Sequence, residues 1–454
     1  MKTKSEADPG SYLFSNLDLK KLIIPLAIEQ TLAITVGMVD IMMVSFAGEA
    51  AISGVSLVDM INNLLNAVFA ALATGGAVVT AQFIGAKRKD MACRSAKQLN
   101  VVAVMIAAVI MAACLALHRQ VLGLLFGDIE DAVVESAATY FLISTLSYPF
   151  LAVYNSNAAL FRSMGNSKIS MKVSVLVNLI NVLGNAFCIF VLHMGVAGVA
   201  IPTLISRMAG AVVMFLLLRH PDNLINLRKE DSYRPDLGMI RKILYIGIPN
   251  GLESGIFQLG RVVVVSIIAT FGTVQIAANS VANSIDGMGT IVGQSFGLAM
   301  ITVVGQCVGA GSEKQVRYYT KKLLKLAYLF TAVVNSLILI ALPLILKLYA
   351  LSPETTELAW ILIMIHNGTA ILLWPLSFTL PNALRSCNDV RFAMVTAVFS
   401  MIAFRVLFSY ILGAWLGLGA IGVWIAMIMD WIFRVILFAW RWRSGKWKAK
   451  AHLA

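Results

Sequence analysis

The sequence predicts an all-α integral membrane protein of twelve transmembrane helices, arranged as two six-helix lobes related by a parallel internal repeat. Three observations carry that prediction. The 454 residues are 59% hydrophobic and only 13% charged, against roughly 45–50% and about 25% in a soluble domain. The apolar residues gather into runs near the ~20-residue length a spanning helix needs. Finally, residues 224 positions apart repeat along both halves of the chain.

The runs lie near residues 22–47, 53–84, 99–117, 136–160, 173–192 and 196–218, then near 243–270, 276–308, 326–349, 358–383, 393–415 and 420–440. The first follows Lys20 and Lys21, but it exceeds the ~7–15 residues of a signal-peptide core. It also contains Glu29 and Asp40, so a retained helix is expected. Five segments follow: an N-terminal segment 1–21, an N-lobe 22–218, a linker 219–242, a C-lobe 243–440 and a C-terminal segment 441–454.

Charge sets the orientation. Lys and Arg number 36 against 23 Asp and Glu, a net +13. Thirty of those cations fall in the two terminal segments and alternate connections, whereas the opposite face carries only Arg119 and Lys347 beside acids such as Asp128, Glu130, Asp131 and Glu135. The remaining four, Arg207, Arg261, Arg405 and Arg434, lie within apolar runs. Such asymmetry places both termini in the cytoplasm of a multi-pass protein, expected in the inner (plasma) membrane. The net positive charge therefore reports topology rather than a nucleic-acid partner. Five cysteines, two in apolar runs and three beside basic segments, give no disulfide framework.

The repeat is the most informative organisational feature. Ile24-Pro25 recurs as Ile248-Pro249, Glu29 as Glu253, Gly48 as Gly272, Gln82 as Gln306, Gly85-Ala86 as Gly309-Ala310 and Gly195 as Gly419, while Arg162-Ser163 recurs 223 residues on as Arg385-Ser386. Six spans per unit is even, so both copies enter the membrane in the same direction and face each other about an axis along its normal. That arrangement suits alternating access, in which one bundle rocks against the other.

Enzymatic chemistry is not expected. Walker A, H-E-x-x-H, C-x-x-C and G-x-S-x-G motifs are absent, and Gly309-Ala310-Gly311-Ser312-Glu313-Lys314 has the wrong spacing for a phosphate loop. No cofactor is implied, and uphill transport would draw on an ion gradient.

Ionisable residues inside spans are the functional candidates, because an unpaired charge in hydrocarbon costs several kcal/mol. Asp40, placed near the middle of the first run with no basic residue a turn away, is the sharpest; it must exchange a proton or take a cation as partner. Asn178, Asn181 and Asn185 share one helical face. Thr203 follows Pro202, which frees a backbone carbonyl. At the repeat positions of Asp40, Asn181 and Asn185 stand Val264, Arg405 and Ser409, so the lobes share a frame without sharing a polar site. The C-terminal half offers Glu253, Arg261, Asp286, His366, Arg405, Asp430 and Arg434. Asp430 and Arg434 are spaced for an i,i+4 ion pair, with Arg434 otherwise expected to snorkel to the cytoplasmic edge. His366 is placed near a helix start, where capping or packing is expected before metal binding. Glu29 and Glu253, each four residues after a proline, suit a structural role as well as a substrate contact.

The segments Ile24-Pro25 through Gly37-Met38-Val39-Asp40, Gln82-Phe83-Ile84-Gly85-Ala86, Arg162-Ser163-Met164-Gly165-Asn166 and Gly195-Val196-Ala197-Gly198-Val199-Ala200-Ile201-Pro202-Thr203, with Gly305-Gln306-Cys307-Val308-Gly309-Ala310 in the second half, resemble the multidrug and toxic compound extrusion (MATE) family of the multidrug/oligosaccharidyl-lipid/polysaccharide exporter superfamily. The likeness runs from about residue 20 to 440. It implies an antiporter, functional as a monomer in the lipid bilayer, that exports small organic, often cationic and lipophilic, compounds in exchange for H⁺ or Na⁺. Asp40 would correspond to the N-lobe coupling carboxylate, with Asn181, Asn185, Thr203 and Tyr140 around it, Na⁺ held at Asp40, Asn181 and Asn185, and Pro25 at a bend of the first helix. Glu253 resembles a carboxylate of some members, with Asp286, Arg261 and Arg405 as further C-lobe candidates. Two departures stand out: Asn185 where many members carry Asp, and no carboxylate between Trp360 and Asn382. The resemblance also keeps a lipid-linked precursor flippase as an alternative, with Arg261 and Arg405 as its cationic residues.

Overall fold

The computed structural model describes residues 12–126, 130–227, 233–349 and 351–452. Residues 1–11 of the N-terminal segment, Asp128 of the acidic loop, residues 228–232 of the linker and residues 453–454 lie outside them.

A capping box starts α1 (Asn16–Ser45): Ser15 Oγ accepts from the Asp18 amide at 3.2 Å while the Asp18 carboxylate accepts from the Ser15 amide at 2.9 Å. The helix thus begins six residues before the apolar run and passes unbroken through Pro25. Gly48 opens α2 (Glu49–Gly85) with φ 104° and Gly272 opens α9 (Thr273–Gly309) with φ 100°. Both lie in the region open to glycine, which accounts for that repeated pair. α3 spans Lys89–Phe126. The fourth span is broken: α4 (Asp131–Leu146) and α5 (Tyr148–Ser163) meet at 49° around Ser147, because Pro149 lacks the N–H that would continue the ladder. α6 (Ser167–Ala186) runs on through a π-helical turn, Phe187–Val191, and α7 (Ala197–Leu218) closes the N-lobe.

The second lobe begins with α8 (Leu237–Ala269), followed by α9 and α10 (Glu313–Leu348). α11 (Pro353–Trp374) is joined by a π-helical turn at Pro375–Thr379 to the short α12 (Leu380–Ser386). α13 (Val390–Ser400) continues through π-helical segments to Trp415, and α14 (Gly419–Arg443) precedes a final turn, α15 (Trp447–Lys450). Among the described residues, eleven helical stretches are long and apolar enough to cross a membrane, and the bent α4–α5 pair makes the twelfth. Large apolar side chains on the outside, such as Leu337, Ile340 and Leu344 of α10, form the surface lipid would cover.

The described residues nearest the two chain ends lie at one end of the bundle. The Phe14 amide donates to Tyr319 Oη at 2.8 Å, and Lys448 Nζ lies 2.8 Å from Glu313 Oε1 at the start of the same helix, α10. The repeated residues take reciprocal positions at this end. A Cβ on Gly85 would lie 1.9 Å from the Gln306 carbonyl oxygen, and one on Gly309 would lie 1.8 Å from that of Gln82, so α2 and α9 touch backbone to backbone across the lobes. Gln82 Nε2 donates to the Ser386 carbonyl at 2.9 Å and Gln306 Nε2 to the Ser163 carbonyl at 2.7 Å. Within each lobe, Arg162 pairs with Glu29 at 3.3 Å and Arg385 with Glu253 at 2.6 Å.

The cores are exchanged in the same reciprocal fashion. Leu19, Leu22 and Leu26 of α1 pack among Phe296, Val303 and Tyr319 of the second lobe, whereas their counterparts Ile243 and Ile246 of α8 pack among Leu99, Leu160 and Phe161 of the first. The initial helix of each lobe therefore begins in the core of the other.

Candidate functional site

Five elements of the N-lobe converge on one cavity of about 320 Å³. Asp40 reaches it from α1, five residues before that helix ends rather than at its middle, because the exposed stretch after Ser15 is already helical. Beside the cavity, though not lining it, α6 holds Asn181 and Asn185 one turn apart, and Asn185 Nδ2 donates to Asp40 Oδ1 at 2.9 Å. α7 lies close enough to bring Thr203 into contact because Gly184 faces Pro202, where a Cβ would sit 2.7 Å from the proline ring. One end of the Asn181 amide lies 2.8 Å from Asp40 Oδ1 and 3.2 Å from Oδ2; the other lies 3.0 Å from Thr203 Oγ1.

Two orientations of that amide are chemically complete. With Asp40 charged, Asn181 turns its N–H to the carboxylate and accepts from the Thr203 hydroxyl. With Asp40 protonated, the amide oxygen accepts the carboxyl proton and its N–H donates to Thr203, whose own hydroxyl donates to the Val199 carbonyl at 2.9 Å. The two orientations differ in whether the Asn181 N–H faces Asp40 or Thr203. Asn178, on the same helical face, stays outside this cluster: its buried Nδ2 has no hydrogen-bond partner among the described residues.

The same cavity holds a second carboxylate, Asp59 of α2, which sequence reasoning passed over. It accepts from Tyr140 Oη at 3.1 Å and from Asn62 Nδ2 at 3.3 Å, while Tyr148 Oη holds the other end of Asn62 at 2.9 Å. Tyr140 thus bonds to Asp59 and not to Asp40. Arg207 lines the cavity as well and donates to Ser147 Oγ at the α4–α5 break at 2.6 Å. Asp40 consequently has a cation nearby after all, one that a search along its own helix could not find. The pattern that marks Asp59 was present: an acid in an apolar run followed by Asn62, Asn63 and Asn66 at helical spacing.

The C-lobe candidates assemble separately. His366 sits in the interior of α11, not at its start, with Nδ1 2.9 Å from Asp286 Oδ1 and 3.1 Å from Asn367 Oδ1. Trp424 and Trp431 pack edge-on against its ring. Arg434 does not snorkel: it is buried, bonds Asp430 Oδ1 at 2.8 Å and the Ala397 carbonyl at 3.2 Å, and stacks over Phe257 and Phe378. Ser400 Oγ also donates to Asp430. Arg405 approaches Asp430 Oδ2 at 4.0 Å, and Arg261 and Arg405 together line a small cavity of about 40 Å³. Glu253, committed to Arg385 near the chain-end side of the bundle, belongs to neither cavity. Among the described residues, no group of three or more His, Cys, Asp or Glu side chains is arranged to hold a metal ion.

The family model MatE matches residues 25–187 and again 249–411. The chain belongs to the MATE family. This family comprises multidrug efflux transporters, and its model falls once on each lobe. Among curated relatives, the chain is 28% identical to the uncharacterized transporter YisQ of Bacillus subtilis, covering 98% of this chain and 97% of that one. It is 26% identical to the "Probable multidrug resistance protein NorM" of Thermotoga maritima, covering 96% and 94%. Among solved structures, a MOP superfamily transporter from Pyrococcus furiosus, described by the reverse polarity of its binding pocket, superposes with a TM-score of 0.87 at 21% identity over 95% of this chain and 96% of that one. The outward-facing conformation of a multidrug resistance MATE transporter superposes with a TM-score of 0.86 at 21% identity over the same shares. At such identities these neighbours establish the MATE fold.

Proposed function

We propose that this chain is a proton-coupled antiporter that exports small organic cations by alternating access, with Asp40 as the group that alternately holds the proton and the substrate. One observation carries the reading: the hydrogen-bond donors of Asn185 and, in one orientation, Asn181 point at the Asp40 carboxylate, in a cavity that also contains Asp59. Amide N–H groups aimed at a carboxylate solvate a bare charge, so Asp40 can release its proton without a metal taking its place. Na⁺ would instead want those positions filled by oxygens.

Two carboxylates against Arg207 leave the cavity one negative charge in excess, which favours a cationic guest when Asp40 is ionised and releases it when Asp40 is protonated. Asn181, Asn185 and Thr203 act as a relay, and Tyr140 holds Asp59. Pro25, inside the unbroken α1, is the place where that helix would bend. The division into an N-lobe at 22–218 and a C-lobe at 243–440, joined by a cytoplasmic linker at 219–242, gives the two bodies that rock. The cavity is complete within one chain, which supports a monomeric unit. The thirty-to-two asymmetry of Lys and Arg, with the described residues nearest both chain ends at one end of the bundle, supports cytoplasmic termini in the inner membrane. A lipid-linked precursor is the weaker reading, since about 40 Å³ between Arg261 and Arg405 is too small for a pyrophosphate.

The test uses purified protein in liposomes preloaded with a fluorescent organic cation, under a pH gradient without Na⁺ or a Na⁺ gradient at constant pH. Dye movement under the pH gradient alone is expected. Movement under the Na⁺ gradient alone would replace the proton by Na⁺ at Asp40, Asn181 and Asn185, and no movement under either would remove the export reading.

A further inference from the structure

The 40 Å³ cavity of the C-lobe is the repeat counterpart of the N-lobe site, with its charge reversed. Asp40 and Asp59 stand 224 residues before Val264 and Asn283, and all four line their respective cavities. Where the N-lobe cavity has Gly37, the C-lobe cavity has Arg261, and the position of Asn181, whose amide lies beside Asp40, is taken by Arg405. Both carboxylates of one site are thus replaced by uncharged side chains in the other, and two guanidinium groups enter from positions that carried none.

Those guanidinium groups are under-partnered. Among the described residues Arg405 pairs with no acid but Asp430, at 4.0 Å, and its buried Nε has no hydrogen-bond partner. Asp430 uses Oδ1 for Arg434 and Ser400, and its buried Oδ2, without a hydrogen-bond partner, stays 4.0 Å from Arg405. Arg261, accessible at the rim, has no ion-pair or hydrogen-bond partner among the described residues. The titratable groups around them are Asp286 and Asp430 on one side and Arg261, Arg405 and Arg434 on the other, with His366 held by Asp286. Three cations against two anions leave an excess of one positive charge even with His366 neutral, in a setting where unbalanced charge is costly. The space exceeds the ~10–15 Å³ needed for one water and is of the size of a single small ion.

We infer that the cavity between Arg261 and Arg405 is a binding site for a small monovalent anion, either free chloride or a carboxylate of similar size. An acceptor there takes the free Nε–H of Arg405, neutralises the excess charge and makes the lobes electrostatic opposites, one holding a cation and the other an anion. The inference rests on the cavity and its charges rather than on the export reading, and its test needs no transport.

Full-length protein in detergent is melted in sodium chloride, bromide, acetate or gluconate at equal ionic strength. Chloride and bromide are expected to raise the midpoint by several degrees over gluconate, saturably, and the rise is expected to vanish in Arg261→Gln, a change at an accessible position that leaves the fold intact. Val264→Asp, which restores an acid at the position Asp40 occupies in the other lobe, is expected to abolish it too. Stabilisation by acetate in place of the halides would support the same site with an organic carboxylate as its occupant. Equal midpoints in all four salts, or a chloride shift undiminished in Arg261→Gln, would overturn the inference. Crystals grown in bromide offer a check free of any variant: an anomalous peak is expected between Arg261 and Arg405, and its absence at saturating bromide counts against the site.

Discussion

Replacing Gly85 or Gly309 by alanine should bias the transporter toward the state in which its lobes part at the chain-end side. The added methyl would sit 1.9 Å from the Gln306 carbonyl oxygen in one case and 1.8 Å from that of Gln82 in the other, where real Cβ contacts stay beyond 3.0 Å. The listener on each side is backbone, which has no rotamer to yield, so α2 and α9 must separate by about 1 Å. Overpacking of this kind costs about 1–3 kcal/mol. Because the cost falls only on the conformation in which the two helices touch, it shifts the balance between conformations by about 5- to 150-fold. Cys307 and Cys387, fully buried beside Gln306 and Ser386, are native reporters of that separation. In a background with Cys93, Cys114 and Cys188 changed to Ser, a soluble maleimide should label them about tenfold faster in either variant, and dye export should fall. The double variant should behave like each single one, since the first methyl already creates the gap the second needs. Labelling and export at unchanged rates in both single variants would refute the argument that this crossing closes one end of the molecule.

Asp40→Asn should abolish gradient-driven dye export while the protein still melts cooperatively near the parent midpoint; retained export at the normal rate would remove Asp40 from the coupling step. Asp59→Asn, which cancels the excess negative charge of the N-lobe cavity, should weaken binding of a cationic dye by about tenfold, or ~1.4 kcal/mol, and leave an uncharged ligand unaffected in equilibrium titrations. Glu253→Gln and Arg385→Met each strand a mostly buried partner, with side chains 14% and 12% exposed, and should each lower stability by about 3 kcal/mol, with the double variant less affected than their sum. Denaturant or thermal unfolding of the four proteins closes that cycle.

The helical inventory and the duplication were legible because they depend on local patterns: runs of apolar residues and a fixed offset of 224. Boundaries were less so. α1 starts at Asn16 on the strength of a Ser15–Asp18 capping box that apolarity does not register. Partnerships across the fold were beyond reach, since Glu29 meets an arginine 133 residues away and Asp40 shares a cavity with Asp59 and Arg207 only once three helices have packed. Arg434 misled for a related reason: a cation near a helix end snorkels when water is close, but here Asp430, the Ala397 carbonyl and two phenylalanine rings hold it inside. Asp59 was overlooked although its amide-rich neighbourhood is written in the sequence, because its run looked apolar on average.

The exchanged cores turn the first helix of each lobe into a lever. α1 is fastened at its start to the second lobe through Leu19, Leu22, Leu26 and the Phe14–Tyr319 bonds, yet its far end delivers Asp40 to the first. Any rotation of one lobe against the other must therefore be taken up within α1 itself. Strain in such a member collects where the hydrogen-bond ladder is already missing a rung, at Pro25, just before the helix leaves its anchorage at Leu26. α8 repeats the arrangement with Ile243, Ile246 and Pro249. Any opening between the lobes would thereby move the Asp40-bearing end of α1 in the same mechanical event, transmitted along a single helix rather than through a chain of contacts.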